Sequence, residues 1–208
     1  MEDDPLAFLR GEVIPAKEDA DTSRCADGGL CVLLETDKQG MPSVETRQTI
    51  RKALELAGEL GVRTSGVLIE TQRAVRPEPF CSFGLQSLYH GLSLCTASSR
   101  AVAGHLARWA VQEKPNLWLF PDTPVGRELG ARVAMRLDTG FVTSVTQFDL
   151  NANDRTFEMT HAELGEKMKR VLVIKQARPQ MATLATGTVS PAEPDPARNT
   201  AVRPFPGT

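Results

Sequence analysis

Apolar residues occur in short blocks along this chain, and the clearest succession of blocks spans residues 115–150. An uninterrupted apolar run at 117–120 follows a proline, which predicts a strand covered on both faces, as in a parallel sheet. Thr123 and Pro124 suit the N-cap and the first position of a helix predicted over 124–137. A second apolar run follows that helix. This order of strand, helix and strand indicates a parallel α/β unit.

Two kinds of residue recur every four positions in the helix predicted over 124–137. Apolar side chains form one row and small residues form a second row beside it: Val125, Leu129, Val133 and Leu137, and Gly126, Gly130 and Ala134. A glycine inside a helix costs about 1 kcal/mol relative to alanine, so two of them need a reason. We expect the small residues to form a groove that lets the helix lie close on the sheet.

The same alternation of apolar strands and amphipathic helices extends over most of the chain. Further strands are predicted at 30–35, 63–70, 92–96, 141–150, 157–160 and 169–176, the last of them buried. Further helices are predicted at 44–60, between Ser43 as N-cap and Gly61, and from Ser98 or Ser99 to 113. A loop with a short helix near 83–88 is predicted before the third strand. This order predicts a three-layer α/β/α sandwich with a mostly parallel sheet, in which 141–160 form an antiparallel excursion.

Charge and proline content divide the chain into three parts. Residues 1–28 carry eight acidic and three basic side chains, so we expect a mobile acidic segment there. The α/β domain is expected over 29–178. Residues 179–208 hold 6 of the 14 prolines and few large apolar groups, and we therefore expect an extended or disordered tail.

Composition argues against several classes of function. The net charge of −2 and the scattered basic residues argue against nucleic-acid binding, which needs a basic surface. The sequence contains no apolar stretch of about 18 residues and no basic-then-apolar leader, so we expect a soluble, cytoplasmic protein. The four cysteines lack C-x-x-C spacing and the three histidines do not complement them, so no metal site is expected. Reduced thiols are expected instead, with Cys31 and Cys95 in buried strands.

A possible anion-binding site follows the strand at 117–120. Four residues lie where that strand ends and the next helix begins: Asp122, Thr123, Gly126 and Arg127. In open α/β sheets, ligands bind at the carboxyl ends of strands, where helix amides and the helix dipole attract negative charge. The chain has no G-x-G-x-x-G and no phosphate-loop lysine. An ordinary capped helix with a solvated arginine is therefore the favoured interpretation, and binding of a cofactor phosphate by these four residues is the alternative.

Three stretches of the chain resemble one known family. The longest reads DTPVGRELGARVAMRLDTGFVTSV after KPNLWLFP, and it resembles the N-terminal domain of the electron transfer flavoprotein alpha subunit. The residues that fit the family pattern are Arg127, Leu129, Gly130, Arg132, Ala134, Arg136, Leu137, Thr139 and Gly140. The run VLLE, ending at Glu35 and followed by Gly40, resembles the first strand of that domain with its glutamate. The run RPQMAT resembles a segment of bifurcating alpha subunits, so the resemblance covers residues 29–185.

The resemblance implies flavin-mediated electron transfer, with this chain as the partner-pairing domain of a heteromeric flavoprotein and not as a catalyst. In that family the first domain packs against a beta subunit that binds AMP, or FAD in bifurcating members. The family's FAD-binding domain, with its Gly-Gln-Thr-Gly segment, has no counterpart in this sequence. We therefore expect no cofactor on this chain alone and FAD or AMP in the assembled complex. The expected partners are a beta-type subunit and a separate FAD-domain protein or dehydrogenase.

Two alternatives remain open. The chain could be a stand-alone adenine-nucleotide-binding α/β domain, similar in fold to the adenine nucleotide alpha hydrolases, with AMP or ATP at the turn from Asp122 to Arg127. It could also be a structural remnant that keeps the fold without a redox role. Binding measurements with adenine nucleotides and with a beta-type subunit separate these three readings.

Overall fold

The computed structural model of this protein describes residues 28–70, 75–163 and 168–206. Its strands are β1 (Leu30–Leu34), β2 (Thr64–Glu70), β3 (Ser87–Ser93), β4 (Leu117–Pro121), β5 (Phe141–Asn151), β6 (Thr156–Glu163), β7 (Met168–Val173), β8 (Gln180–Leu184) and β9 (Ala201–Pro204). Its helices are α1 (Val44–Leu60), α2 (Ser99–Glu113) and α3 (Pro124–Leu137), and a 3₁₀ turn lies at Glu78–Phe80. The acidic segment predicted at 1–28 lies outside the described residues except for Gly28, and its mobility stays a prediction.

The strands form one sheet in the order β7-β6-β5-β8-β4-β1-β2-β3-β9. The seven strands from β5 to β9 in this order are parallel to their neighbours. Strand β6 is antiparallel to both β5 and β7, which confirms the predicted antiparallel excursion. The chain leaves β1 towards β2 on one side and leaves β4 towards β5 on the other. The topological switch point, where such sheets open a crevice, therefore lies between β1 and β4.

Local capping explains where the three helices begin and end. The hydroxyls of Ser43, Ser98 and Thr123 each accept a hydrogen bond from a backbone N–H of the first turn, which satisfies a donor that the helix itself leaves free. Gly61 ends α1 in the left-handed conformation, with φ of 67°. All three helices have their predicted bounds.

The helices cover the two faces of the sheet unequally. Alternate residues of β1 point to opposite faces, and all five residues of that strand are buried. Leu30, Val32 and Leu34 pack in a core with α1, whereas Cys31 and Leu33 pack in a second core with α2 and α3. The predicted three-layer α/β/α class with a mostly parallel sheet is therefore confirmed.

Two predicted strands need correction. The third strand was expected at 92–96 but spans Ser87–Ser93, and 83–88 hold turns and the start of that strand instead of a short helix. Cys95 consequently lies beyond the strand and is exposed. The strand predicted as buried at 169–176 is β7, which is exposed at five of its six positions. Its apolar run is typical of a buried strand, but its place at the end of the sheet leaves it uncovered.

The domain boundary predicted at residue 178 is also corrected. Strand β8 inserts between β4 and β5, and all five of its residues are buried. Strand β9 pairs with β3, and Phe205 directly after it packs against Trp109, with ring centroids 6.2 Å apart. Residues 180–184 and 201–205 thus belong to the domain and not to a disordered tail. Residues 179–208 contain too few apolar groups to form a core of their own. Strands from earlier in the chain supply the apolar surface against which β8 and β9 pack.

The groove of small residues predicted on α3 is confirmed. Gly126, Gly130 and Ala134 are buried. A Cβ atom added at Gly126 would overlap the carbonyl oxygen of Pro121, and one added at Gly130 would overlap the ring of Phe141. The close approach that these glycines permit outweighs their unfavourable helix propensity.

We expect Gly130→Leu to lower the free energy of unfolding by about 1–3 kcal/mol, because the side chain must displace the Phe141 ring or lift α3 from the sheet. Gly58→Ala is the matched control, since a Cβ at this position on α1 would have no atom within 4 Å other than those of its own stretch of helix. That change is expected to raise stability by about 0.5–1 kcal/mol. Urea denaturation of both variants measures the two effects, and an unchanged midpoint for Gly130→Leu contradicts the packing of α3 described above.

Candidate functional site

The switch point between β1 and β4 gathers polar side chains from distant parts of the chain. Glu35 follows the last residue of β1, and Asp122 and Thr123 follow β4. Gly126 and Arg127 belong to the first turn of α3. The structure thus brings the four residues of the predicted anion site together, at the carboxyl ends of the central strands where ligands of such sheets bind.

Asp122 is the centre of one hydrogen-bond network. Arg127 donates to it through Nε at 2.7 Å and through Nη2 at 2.8 Å, a bidentate pair. The hydroxyls of Thr183 and Ser144 also donate to the Asp122 carboxylate, at 2.7 and 2.8 Å. Burial alone would raise the pKa of Asp122, but the hydrogen bonds from Arg127, Thr183 and Ser144 outweigh it, so that pKa is lowered. The carboxylate therefore joins β4, β5, β8 and α3 in its ionised form.

Glu35 is the centre of a second network and is only 6% exposed. The Thr123 hydroxyl lies 2.8 and 2.9 Å from the two carboxylate oxygens, and it also accepts the N–H of Gly126 at 2.9 Å. The hydroxyl of Thr46, on α1, accepts a hydrogen bond from the backbone N–H of Glu35 and donates one to the Glu35 carbonyl oxygen. Burial raises the pKa of Glu35 to about 7, assisted by the nearby negative charge of Glu45 and opposed by the bonds from Thr123 and Gly126.

The two carboxylates occupy the position that a ligand anion would take. Glu35 lies beside the first amides of α3, where the helix dipole favours negative charge, and Gly126 allows this approach because a Cβ there would lie 3.2 Å from Glu35 Oε1. The guanidinium of Arg127 is already paired with Asp122. A cofactor phosphate would have to displace Glu35 and separate Arg127 from Asp122. As they stand, these residues fit an internally neutralised helix terminus better than the phosphates of FAD or AMP.

Site-level reasoning from the sequence missed Glu35, Ser144 and Thr183. Glu35 entered only through the family resemblance, although a carboxylate that directly ends a fully apolar strand was a signal at the residue level. Ser144 and Thr183 had no such signal, because one lies within a long strand and the other within a segment interpreted as a tail. The chain separates Thr183 from Asp122 by 61 positions.

An open cleft of about 530 Å³ lies next to Glu35. Its walls include Lys38, Met41, Ser43, Arg47 and Thr123. Arg47 binds the segment between β8 and β9, because it donates to the Ala192 carbonyl at 2.8 Å and forms an ion pair with Glu193. The cleft gives solvent a path to the edge of the Glu35 network.

Neither a cluster of potential metal ligands nor a membrane-spanning helix occurs in the part of the chain that the structure describes. Within residues 28–70, 75–163 and 168–206, no three His, Cys, Asp or Glu side chains are grouped so that they could hold a metal ion. Among the same residues, every helix is too short or too polar to cross a bilayer.

Comparison with known proteins adds family information. The family model described as electron transfer flavoprotein domain matches residues 30–206. The electron transfer flavoprotein subunit alpha of Clostridium acetobutylicum is 28% identical over 67% of this chain and 42% of its own length. The protein of the same name from Megasphaera elsdenii is 27% identical over 72% of this chain and 45% of the relative's length. The acryloyl-CoA reductase electron transfer subunit beta of Anaerotignum propionicum is 24% identical over 70% of this chain and 46% of the relative's length. The chain therefore spans less than half the length of these curated relatives.

Proposed function

Since the chain belongs to the electron transfer flavoprotein domain family, which its sequence resemblance had predicted, we propose that it serves flavin-mediated electron transfer as the pairing domain of a heteromeric flavoprotein. Its partner in this proposal is a beta-type subunit. Proteins that it resembles are named as subunits of electron transfer flavoproteins and of acryloyl-CoA reductase. FAD, which would carry the electrons, or AMP is bound in the assembled complex, and this domain contributes a rigid surface. We place the assembly in the cytoplasm.

The observation that carries this proposal is the internally neutralised switch point. Glu35 takes the anion position beside α3, and Asp122 holds Arg127. A domain whose principal ligand position is filled by its own carboxylates suits a scaffold better than a cofactor-binding site. The hydrogen bonds link four strands and two helices, α1 and α3. This rigidity suits a domain that presents a preformed face to a partner.

Gel filtration of the full chain, alone and mixed with a beta-type subunit, tests the proposal. We expect the mixture to elute as one complex of 1:1 composition, and flavin absorption to appear in the complex and not in the chain alone. The beta-type subunit alone is the control for flavin that it binds by itself. Failure of the two chains to co-elute contradicts the pairing role, and near-stoichiometric flavin on the isolated chain contradicts the placement of the cofactor.

A second candidate function is adenine-nucleotide binding at Asp122, Thr123, Gly126 and Arg127. The observation that favours it is the Glu35 carboxyl, whose pKa of about 7 lets it become neutral near physiological pH beside an open cleft. Loss of that charge would remove the anion that competes with a phosphate. Calorimetry with AMP at pH 6 and pH 8 separates the two functions. The nucleotide-binding function requires tighter binding at pH 6 and its loss in Arg127→Gln, whereas the pairing function requires no binding at either pH.

A further inference from the structure

Strand β7 forms an edge of the sheet that lacks the usual protection. Among the described residues it pairs with β6 and with no other strand. The two strands keep a continuous register over six residue pairs, without a bulge. The strand at the opposite edge, β9, has four residues and ends at Pro204, and a short length and a proline both blunt an edge. The outer N–H and C=O groups of β7 therefore have no strand partner within the described ranges.

Both faces of β7 carry exposed apolar side chains. Met168, Val171 and Leu172 are 54%, 53% and 37% exposed. Leu172 stands opposite Met159 of β6, which is fully buried, so the two side chains lie on the same face of the sheet. Val171 is the preceding residue and points to the other face. Natural proteins rarely leave a long apolar edge uncovered, because such an edge pairs with any available strand. The cover that fits β7 is a strand that is apolar on both of its own faces.

The first described residue, Gly28, lies close to the end of β7. A Cβ atom added at Gly28 would lie 2.9 Å from the backbone nitrogen of Asn116. The side chain of Asn116 accepts from Nε of Arg178 at 2.8 Å. Nη1 of Arg178 in turn donates to the carbonyls of Ile174 and Lys175, directly after β7. The 27 residues that precede Gly28 are therefore attached to the domain beside this edge.

The longest apolar run in those 27 residues is at 6–9, and it reads Leu-Ala-Phe-Leu. Successive residues of a strand point to opposite faces, so this run would present apolar side chains on both. Positions 10–27, eighteen residues, separate the run from Gly28. Fully extended, they span at most about 60 Å, whereas the six residues of β7 span about 20 Å. The run can therefore reach every position of β7 within one molecule.

Charge distinguishes between the possible occupants of this edge. Residues 168–178 carry four basic and no acidic side chains, and Glu158 of β6, opposite Val173, offsets only part of that charge. A second copy of β7 would bring like charges to the edge, whereas residues 2–12 carry four acidic side chains and one basic one. Exposed ion pairs contribute little energy, so charge selects the occupant and the apolar side chains supply most of the contact.

We propose that residues 6–9 pair with β7 of the same molecule as an added edge strand, with their apolar side chains against Met168, Val171 and Leu172. The tether gives the run an effective concentration in the millimolar range at β7, which favours it over a strand from a second molecule. Main-chain hydrogen bonds to the open edge supply affinity, and the side chains on both faces set the register. The proposal does not depend on the electron transfer role.

Hydrogen exchange of the ¹⁵N-labelled full chain, followed by NMR, tests the added strand. Alternate amides of β7 point away from β6, and pairing with residues 6–9 protects them. We expect these amides to exchange at least tenfold faster in Leu6→Gln/Phe8→Gln/Leu9→Gln than in the parent chain. Amides of β8, inside the sheet, should stay within twofold, which shows that the variant remains folded. Equal exchange of the β7 amides in both chains overturns the proposal.

Val13→Gln/Ile14→Gln is the matched control, because it removes apolar groups from the same part of the sequence outside the run. Its β7 amides should exchange within twofold of the parent rate, and a loss as large as that of the triple variant contradicts the assignment to residues 6–9. From the side of the strand, Val171→Gln should shift the amide signals of residues 6–9. Val202→Gln, on the exposed edge strand β9, should leave those signals unchanged.

A mixture of isotope-labelled and unlabelled chains distinguishes pairing within one molecule from pairing between two. We expect nuclear Overhauser effects between residues 6–9 and β7 in the labelled chain, and none between labelled and unlabelled chains. Effects that cross between molecules mean that a second copy covers the edge, and the proposal is then wrong. It is also wrong if the outer β7 amides become protected only after a beta-type subunit is added, because the edge is then an interface for that partner.

Discussion

Replacing Phe205 with alanine is expected to lower the free energy of unfolding by about 3–5 kcal/mol, the range typical of a buried phenylalanine. Phe205 is 2% exposed and packs in the core beneath α2, with Trp109 among its neighbours. Its N–H also donates to the carbonyl of His90 at 2.7 Å, which anchors the chain directly after β9. Removal of the ring leaves a cavity that the surrounding aromatic side chains cannot readily fill. For one domain this is a large share of the total stability.

Val202→Ala is the matched control for this experiment. Val202 lies on β9 only three residues earlier but is 41% exposed, so its truncation should cost less than about 1 kcal/mol. Urea denaturation followed by tryptophan fluorescence measures both variants. Equal, small effects would mean that residues 201–206 do not pack on the domain in solution, as the composition of the segment had predicted.

Glu35→Gln is expected to remove a pH dependence of stability on the order of 3 kcal/mol. Burial raises the pKa of Glu35 to about 7, from 4.5 for a free glutamate. Below about pH 4.5 the carboxyl is protonated in both states. Between these values the unfolded chain releases the proton while the folded chain retains it, so stability falls as pH rises. Above pH 7 both states are ionised and the loss is complete.

Urea denaturation at pH 5, 6, 7 and 8 measures this effect as the difference between the parent chain and Glu35→Gln. The lowered pKa of Asp122 affects stability only at more acidic pH and does not enter this window. Glu59→Gln, an exposed carboxylate near the end of α1, is the control and should keep the parent's pH dependence. A parent chain whose stability is flat from pH 5 to 8 would show that Glu35 is ionised without cost in the folded state.

Local sequence determined the helices of this protein and their close packing. Ser43, Thr123 and Gly61 act on backbone groups within the same turn, so the information that begins or ends a helix lies within a few residues. The row of Gly126, Gly130 and Ala134 likewise predicted close packing of the helix, although the sequence did not show that Pro121 and Phe141 lie against the two glycines. The family resemblance rested on these same helix residues, on the strand before Glu35 and on the run RPQMAT at 178–183.

Tertiary structure alone decided which strands are buried and which polar groups meet. The apolar run of β7 predicts a buried strand, but β7 is exposed, whereas the proline-rich segment that contains β8 predicts a tail, but β8 is buried. Composition fails in both cases because burial depends on what lies beside a strand in the sheet. Thr123 and Glu35 are 88 positions apart and meet only because β4 and β1 are neighbours. Desolvation then shifts the titration of Glu35, a property of its surroundings that no local pattern encodes.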